Sequence, residues 1–308
     1  VEASRNFANK IWNAARFLLM NLKSNEEMPL PSQLALEDKW ILSKYNELVR
    51  DVTDNLDKYE LGLAVAKLYD FIWDVFCDWY IELCKSRLNG EDEAAANTAR
   101  SVLVYVFTGV LKLLHPFMPF ITEEIWQSLP HSGESIMVSE WPEYKEELNF
   151  GKEAEDFEKV IAVIRAIRNR RSEMNVPPSK KAKICIASPT KDIFEAGASF
   201  ISRLASGSSV EVADSFDMPD AVLVVTDSAK VYIPLNELVD FTAELARLEK
   251  ELEAANKDKA FYEGKLNNPG FVAKAPEAVV NQQRDLLSKT LDRIALLSDS
   301  IAKIKAQI

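Results

Sequence analysis

Asn9, Asn13 and Arg16 stand four and three residues apart, a spacing that brings side chains onto one face of a helix. Carboxamide and guanidinium groups hydrogen-bond base edges, and the neighbouring Trp12 and Phe17 offer rings on which unstacked bases can lie. Arg5, Lys10 and Lys23 add charge, so residues 1–23 carry four cations against one carboxylate. A second, denser set lies far along the chain. Arg165, Arg168, Arg170, Arg171, Lys180, Lys181 and Lys183 face only Glu173 between positions 165 and 183. Clustered cations track phosphates, because each neutralised phosphate releases a counterion. A third set, Asn267, Asn268, Phe271 and Lys274, is stiffened by Pro269 and Pro276. It can present a ring to flat stacked bases and polar groups to backbone oxygens. Each set also has a plain alternative: Trp12 and Phe17 as core, the cations as a solvated face or as ties between neighbouring segments, and Phe271 tucked inside its own turn.

Charge narrows these readings. The formal net charge is −11, so contact with a polyanion must rest on local clusters. Residues 37–93, with 7 cations and 14 carboxylates, read as an acidic flank. Other chemistry finds little support. Glycine is scarce, 9 residues in 308, and no glycine-rich phosphate loop, dinucleotide fingerprint or nucleophile elbow occurs. His115 precedes a proline and reads as structural; His131 lies in a polar loop and reads as solvated. Cys77 and Cys84 share a face of an apolar stretch and read as core; with Cys185 they are too scattered for a disulfide framework or a zinc site. The expectation is therefore no catalytic, cofactor-binding or metal-binding residue, a reduced compartment, and no membrane span, since no uninterrupted apolar run reaches about 18 residues.

The elements that must position the three sets follow from periodicity. Residues 1–22 repeat Phe7, Ile11, Ala14, Ala15, Leu18 and Leu22 at helical spacing. Further helices are expected over 36–59, 60–88 (stripe Val65, Leu68, Ile72, Val75, Trp79, Leu83), 92–115 and 119–129, with Gly90 and Pro116 as stops. The middle changes character: a helix over 152–174, then strands over 182–187, 210–213, 221–225 and 230–234, with a helix over 191–204 between the first two. From 236 onward a heptad pattern appears. Phe241, Leu245, Leu248, Leu252, Ala255, Lys259, Tyr262 and Leu266 are followed, after a turn, by Val280, Gln283, Leu287, Thr290, Ile294, Leu297, Ile301, Ile304 and Ile308. Two heptad helices and a short turn make an antiparallel coiled-coil hairpin. A first arm helix of about 31 residues would reach roughly 46 Å. The fold class is thus mostly α: a helical bundle (1–147), a small α/β unit (148–235) and a coiled-coil arm (236–308).

Several of these stretches carry a family resemblance. Ser4-Arg5-Asn6-Phe7-Ala8-Asn9-Lys10-Ile11-Trp12-Asn13-Ala14-Ala15-Arg16-Phe17 resembles the start of the anticodon-binding helical domain of class I aminoacyl-tRNA synthetases. His115-Pro116-Phe117-Met118-Pro119-Phe120-Ile121-Thr122-Glu123-Glu124-Ile125-Trp126 resembles a later helix of that domain, and Ser139-Glu140-Trp141-Pro142 its closing strip. Two stretches are similar to the bacterial valyl branch in particular: Ile167-Arg168-Asn169-Arg170-Arg171-Ser172-Glu173-Met174-Asn175-Val176-Pro177-Pro178-Ser179-Lys180-Lys181, and the arm turn Leu266-Asn267-Asn268-Pro269-Gly270-Phe271-Val272-Ala273-Lys274-Ala275-Pro276.

The resemblance implies a valine tRNA partner, anticodon contact through Arg5, Asn9, Asn13, Arg16 and Phe17, and elbow contact through the arm tip. A monomeric protein is expected, and the sparse cysteines fit the cytoplasm. The family's ATP motifs (His-Ile-Gly-His-like and Lys-Met-Ser-Lys-Ser-like) do not occur here, nor does an editing domain. ATP with Mg would therefore belong to a parent ligase, and this chain alone is not expected to be an enzyme or to hold a cofactor. The chain opens at Val1 rather than Met, which suggests a longer parent. A free-standing tRNA-binding protein and a coiled-coil scaffold without RNA function are the alternatives.

Overall fold

The computed structural model describes residues 2–23, 28–238, 241–274 and 276–305, with the side chains of residues 3, 241–244, 272, 274, 303 and 304 outside that description. Two compact units result: Val1–Ile164 with Asp192–Phe200, and Arg165–Lys191 with Ile201–Ile308.

The first unit is a helical bundle of α1 (Glu2–Asn21), α2 (Leu36–Asp57), α3 (Leu61–Asp70), a π-helical segment (Phe71–Tyr80), α4 (Ile81–Leu88), α5 (Glu93–Leu114), α6 (Pro119–Ser128) and the first part of α7 (Gly151–Glu173). Asp92 caps α5 by accepting from the Ala95 amide at 3.0 Å, and Pro119 opens α6 from its first turn. Ile11, Leu18, Trp40, Ile41, Leu42, Phe76, Phe107 and Phe157 are fully buried among these helices. Among the described residues, only α5 has the length and apolar composition of a bilayer span, and most of its apolar stretch is buried as core.

Two features depart from the periodic reading. The expected single helix over 60–88 contains the π-helical turns of Phe71–Tyr80. Its buried residues therefore advance by four and five, as Phe71, Phe76 and Tyr80 and as Ile72, Cys77 and Ile81, while Val65 of the expected stripe is exposed. Buried polar residues, meanwhile, fix irregular chain. On α2, Asn46 exchanges hydrogen bonds with the backbone of Lys145 (2.8 Å each way), and Ser43 accepts from the Phe150 amide at 2.8 Å. These two side chains hold the irregular 139–150 segment, with its 3-10 turn at Glu146–Leu148, against the bundle.

The strongest polar tie is Asp38, which has no exposed surface. Its carboxylate accepts from the Ala35 amide at the start of α2 (3.1 Å), from Tyr80 Oη (2.7 Å) and from both terminal nitrogens of Arg87 (2.7 and 2.6 Å). Glu37 Oε1 lies 3.0 Å from Arg87 Nε. Burial disfavours a charged guanidinium, but the hydrogen bonds and charges of Asp38 and Glu37 outweigh it and hold Arg87 above its ordinary basicity. Burial, with the neighbouring carboxylate, pushes the Tyr80 hydroxyl well up.

The second unit holds a four-stranded sheet in the order β2-β1-β4-β3. Strands β1 (Ala182–Ala187) and β2 (Gly207–Ala213) run parallel; β4 (Lys230–Pro234) is antiparallel to both β1 and β3 (Ala221–Val225). Strand β2 starts three residues earlier than expected. The expected helix over 191–204 is two helices, α8 (Lys191–Ala196) and α9 (Ala198–Leu204), parted at Gly197. A Cβ at Gly197 would fall 2.7 Å from Val160, so only glycine allows that approach. After α10 (Leu235–Leu238), helix α11 (Phe241–Leu266) pairs with α13 (Glu277–Lys305).

The hairpin keeps the expected seam: Leu248, Ala255, Leu297 and Ile301 form its core, flanked by Leu245, Leu252 and Ile294. Cross-links Glu249–Lys305 (2.8 Å) and Glu251–Arg293 (3.7 Å) fix the antiparallel sense. With 26 residues, α11 is shorter than expected, roughly 39 Å. Ile308 and the side chains of Phe241 and Ile304 lie outside the described residues.

Removing Asp38 leaves Arg87, whose side chain is only 14 % exposed, with Glu37 alone of its two carboxylates, and strips the buried Tyr80 hydroxyl of its acceptor. Asp38→Ala is therefore expected to lower stability by about 3–5 kcal/mol, read as a lower urea midpoint. A loss below about 1 kcal/mol would class the pair with exposed ion pairs.

Candidate nucleic-acid interface

Helix α1 separates its faces cleanly. Phe7, Ile11, Ala14, Ala15 and Leu18 are buried, whereas Arg5, Asn9, Trp12, Asn13 and Arg16 are exposed along the opposite side. Trp12 is 44 % exposed, so the core alternative for that ring does not hold. Phe17 is half-buried, with Lys85 Nζ 6.0 Å above its ring.

The π-helical segment seats this helix. Lys10 Nζ lies 2.5 Å from Asp78 Oδ1 and 4.8 Å from the Trp73 ring centre. Residues 73 and 78 would be about 140° apart around a regular α-helix. In π geometry, five residues make roughly one turn, so both face Lys10. Phe7 packs on Tyr69 (4.7 Å between ring centres), which stacks on Trp73. At the other end, the buried Arg100 donates to the Asn21 carbonyl at 2.8 Å and pairs with Glu93 at 2.7 Å. Lys23 also binds Glu93, and these two hydrogen bonds, Lys23 first, hold that carboxyl below its usual range.

Lys10 and Lys23 are thus engaged in internal ion pairs. Arg5 lies 3.9 Å from Glu2, and Arg16 makes no ion pair among the described residues. The exposed strip can therefore offer two guanidinium groups, two carboxamides and one indole ring to a ligand.

The basic cluster of the second unit divides in the same way. Arg171 is buried and donates to the carbonyls of Pro177 (3.2 Å) and Lys180, closing the loop that follows α7. Desolvation lowers its basicity. Its expected phosphate role is corrected: a buried guanidinium committed to two carbonyls cannot also reach a phosphate. The loop itself is a helix stop with Asn175 in the left-handed region (φ 54°), where Val176 N donates to Arg171 O. Arg165, Arg168, Arg170 and Lys181 are exposed and Lys180 is half-buried. Arg168 Nε donates to the Leu204 carbonyl (2.7 Å), and Arg170 pairs with Glu173 (3.1 Å). Lys183, counted in the same run, is bound to Glu211 at 2.7 Å.

At the arm tip, residues 269–274 form a further short helix, α12 (Pro269–Lys274). Asn268 Oδ1 accepts from the Gly270 amide at 2.9 Å, so the acceptor oxygen of this side chain is already used in the turn. Asn267 is exposed and Phe271 half-buried; the Lys274 side chain lies outside the described residues. One residue escaped the heptad reading. Phe261, beside the seam residue Tyr262, is 56 % exposed, with Lys265 Nζ 4.2 Å from its ring centre. An aromatic residue off a narrow coiled-coil seam was its available signal.

Other candidates for chemistry are accounted for locally. His115 Nδ1 lies 2.8 Å from Thr122 Oγ1 at the turn into α6. His131, expected to be solvated, instead packs on Trp126 with ring centres 3.9 Å apart and binds the Leu129 carbonyl at 2.7 Å. Cys77 and Cys84 are buried, which pushes both thiols up to about 12. Among the described residues no three metal-ligating side chains gather.

Comparison with known proteins adds two family matches. Residues 38–186 match the anticodon-binding domain of tRNA ligase, and residues 240–305 match the valyl tRNA synthetase tRNA binding arm. Helix α1 precedes the first match but lies within the stretch shared with whole relatives. The chain is 46 % identical to a valine–tRNA ligase of Listeria monocytogenes over 99 % of its own length and 35 % of the relative's. Identity to the Clostridium tetani valine–tRNA ligase is 48 % (96 % of this chain, 35 % of that one). For Bacillus subtilis valine–tRNA ligase it is 43 % (100 % and 35 %). The chain thus spans about a third of the length of the curated relatives it matches.

The geometry separates structural from available cations. Arg171→Ala is expected to lower the melting temperature and leave the salt dependence of RNA binding unchanged. Paired Lys180→Glu and Lys181→Glu substitutions are expected to flatten the log–log salt slope by about one per lost phosphate contact. Binding measured across a salt series, with melting curves for each variant, checks both outcomes.

Proposed function

We propose that this chain, which belongs to the valyl-tRNA synthetase family, supplies valine tRNA recognition through two separate surfaces. The exposed strip of α1 reads the anticodon, and the arm contacts the tRNA away from it, at the outer elbow. The observation that carries the first half is the strip itself: Arg5, Asn9, Asn13 and Arg16 in line on a helix whose other face is core. Valine codons begin with GU and accept any third base. A valine-specific protein must therefore discriminate the last two anticodon bases and tolerate the first. A few amide and guanidinium contacts with one or two stacking rings suit that task.

The match to a tRNA binding arm supports the second half. Residues 236–308 carry 11 cations and 12 carboxylates, so bulk charge cannot supply the contact and particular residues must. Asn267, Phe271, Lys274 and, from the structure, Phe261 with Lys265 are those residues. The cations of 165–181 other than Arg171 track phosphates. The division of labour is 1–147 for the anticodon, 148–235 as connector and 236–308 as arm. Activation of valine with ATP and Mg belongs to parts of the ligase beyond this chain. The protein works as a monomer in the cytoplasm, away from membranes.

Deleting the arm tests the division. Glu237 accepts from the Lys183 amide on β1 at 2.6 Å, so the cut belongs after α10, removing 241–308. The truncated chain is expected to bind valine tRNA more weakly yet keep its preference for the valine anticodon. Unchanged affinity would make the arm merely structural. Loss of anticodon preference would refute the separation of the two contacts.

A further inference from the structure

The two halves of the arm are built differently. In the base half the seam between α11 and α13 is apolar and closed: Leu248, Ala255, Leu297 and Ile301 are buried, with Leu245, Leu252 and Ile294 packed against them. Ala255 is only 1 % exposed, and its small side chain lets the two helices approach closely. The cross-helix ion pairs Glu249–Lys305 and Glu251–Arg293 tie the same half.

Beyond Ala255 and Ile294 the seam changes character. Its next positions are Lys259 on α11 and Thr290 on α13, and Gln283 follows nearer the tip. Lys259 is half-buried, and its ammonium lies 3.8 Å from Glu263, one turn along the same helix. Thr290 Oγ1 donates to the Leu286 carbonyl at 2.8 Å, also within its own helix. Gln283 Oε1 is buried and has no hydrogen-bond partner among the described residues. Polar seam positions lower the stability of a coiled coil, and opening to water relieves the unpaired Gln283 oxygen. The apolar seam residues Tyr262, Leu266 and Leu287 are only half-buried, although Val280 is buried. Gly264, inside α11, has open space where a Cβ would stand, and a helix-interior glycine favours unwinding.

We infer that the arm carries a built-in step in stability just past Ala255: the base half stays zipped, while the tip half, 256–293, opens and closes as a unit and is closed by its ligand. The polar layer of Lys259 and Thr290 separates the two cooperative segments. Segments that grip a ligand come from the low-stability end of a structure, because one that opens can refit itself to a surface before it is fixed. Ordering the tip on contact also makes the contact strength adjustable through the seam, far from the residues that touch the ligand. The closing ligand rests on the arm's proposed contact with tRNA; the step itself rests on the seam alone.

Hydrogen exchange of the whole chain, followed by mass spectrometry with and without valine tRNA, tests this. In the free chain, amides of 256–266 and 277–293 are expected to exchange about tenfold faster than those of 245–255 and 294–302. Saturating valine tRNA should slow the tip half toward the rate of the base half and change the base half little. Two variants locate the cause. Gly264→Ala, placed where a methyl group meets nothing, should slow exchange of the tip half several-fold. The triple substitution Lys259→Leu, Gln283→Leu and Thr290→Ile should erase the step, so that both halves exchange alike and valine tRNA adds little further protection. Equal exchange along the two halves of the unmodified chain would overturn the inference. So would a faster tip whose rate neither variant changes, since that is fraying from the turn rather than a property of the seam. A step that valine tRNA leaves untouched would overturn the closure by ligand. Removal of 241–308 then separates the two readings: if it still weakens tRNA binding, the arm contact stands and only the closure fails.

Discussion

The bundle depends on one buried carboxylate. Asp38 closes the first turn of α2, receives the Tyr80 hydroxyl from the end of the π-helical segment and neutralises Arg87 on α4. A carboxylate with no water contact needs its acceptor sites filled by donors, and here the donors come from both helices it must join. That requirement fixes the register of α2 against the 61–88 helix. The π-helical turns between Asp70 and Ile81 then present Trp73 and Asp78 together to Lys10. The placement of α1, and with it the direction in which Arg5, Asn9, Asn13 and Arg16 point, follows from this chain of contacts.

Charge is used in two distinct ways. Lys10, Lys23, Arg87, Arg100 and Arg171 lie in positively charged or core-forming stretches, yet the fold consumes each of them in an ion pair or a backbone contact. What remains for a polyanion is a short list of exposed cations on a chain of net charge −11. Such a protein repels nucleic acid at long range and must gain its selectivity from a few directional contacts at short range.

Much of the fold was legible because it is periodic. Seam residues such as Leu248, Leu252, Leu297 and Ile301, and the apolar face of α1, follow from spacing alone, as do strands β1, β3 and β4. The parts that were not legible depend on contacts distant in sequence. No proline or glycine marks residues 71–80, so nothing local announces π geometry. The break at Gly197 exists because Val160 approaches from another helix. Arg171 is indistinguishable from Arg170 in a run of basic residues until the loop after α7 folds back to offer two carbonyls. Of the site, the α1 strip could be read from one helix, whereas the division of the basic cluster into buried and exposed cations depends on the fold of the loop after α7.

The most direct measurement of the central claim is the affinity of the intact chain and of Arg16→Ala for valine tRNA and for the same tRNA with its anticodon replaced, at one fixed salt concentration. The intact chain should prefer the valine anticodon. The substitution should cost about 1–3 kcal/mol on the valine tRNA and much less on the replaced one, erasing most of the preference. Equal losses on both RNAs would reduce Arg16 to a phosphate contact, and an unchanged preference would contradict the reading of the α1 strip as the anticodon-recognition surface.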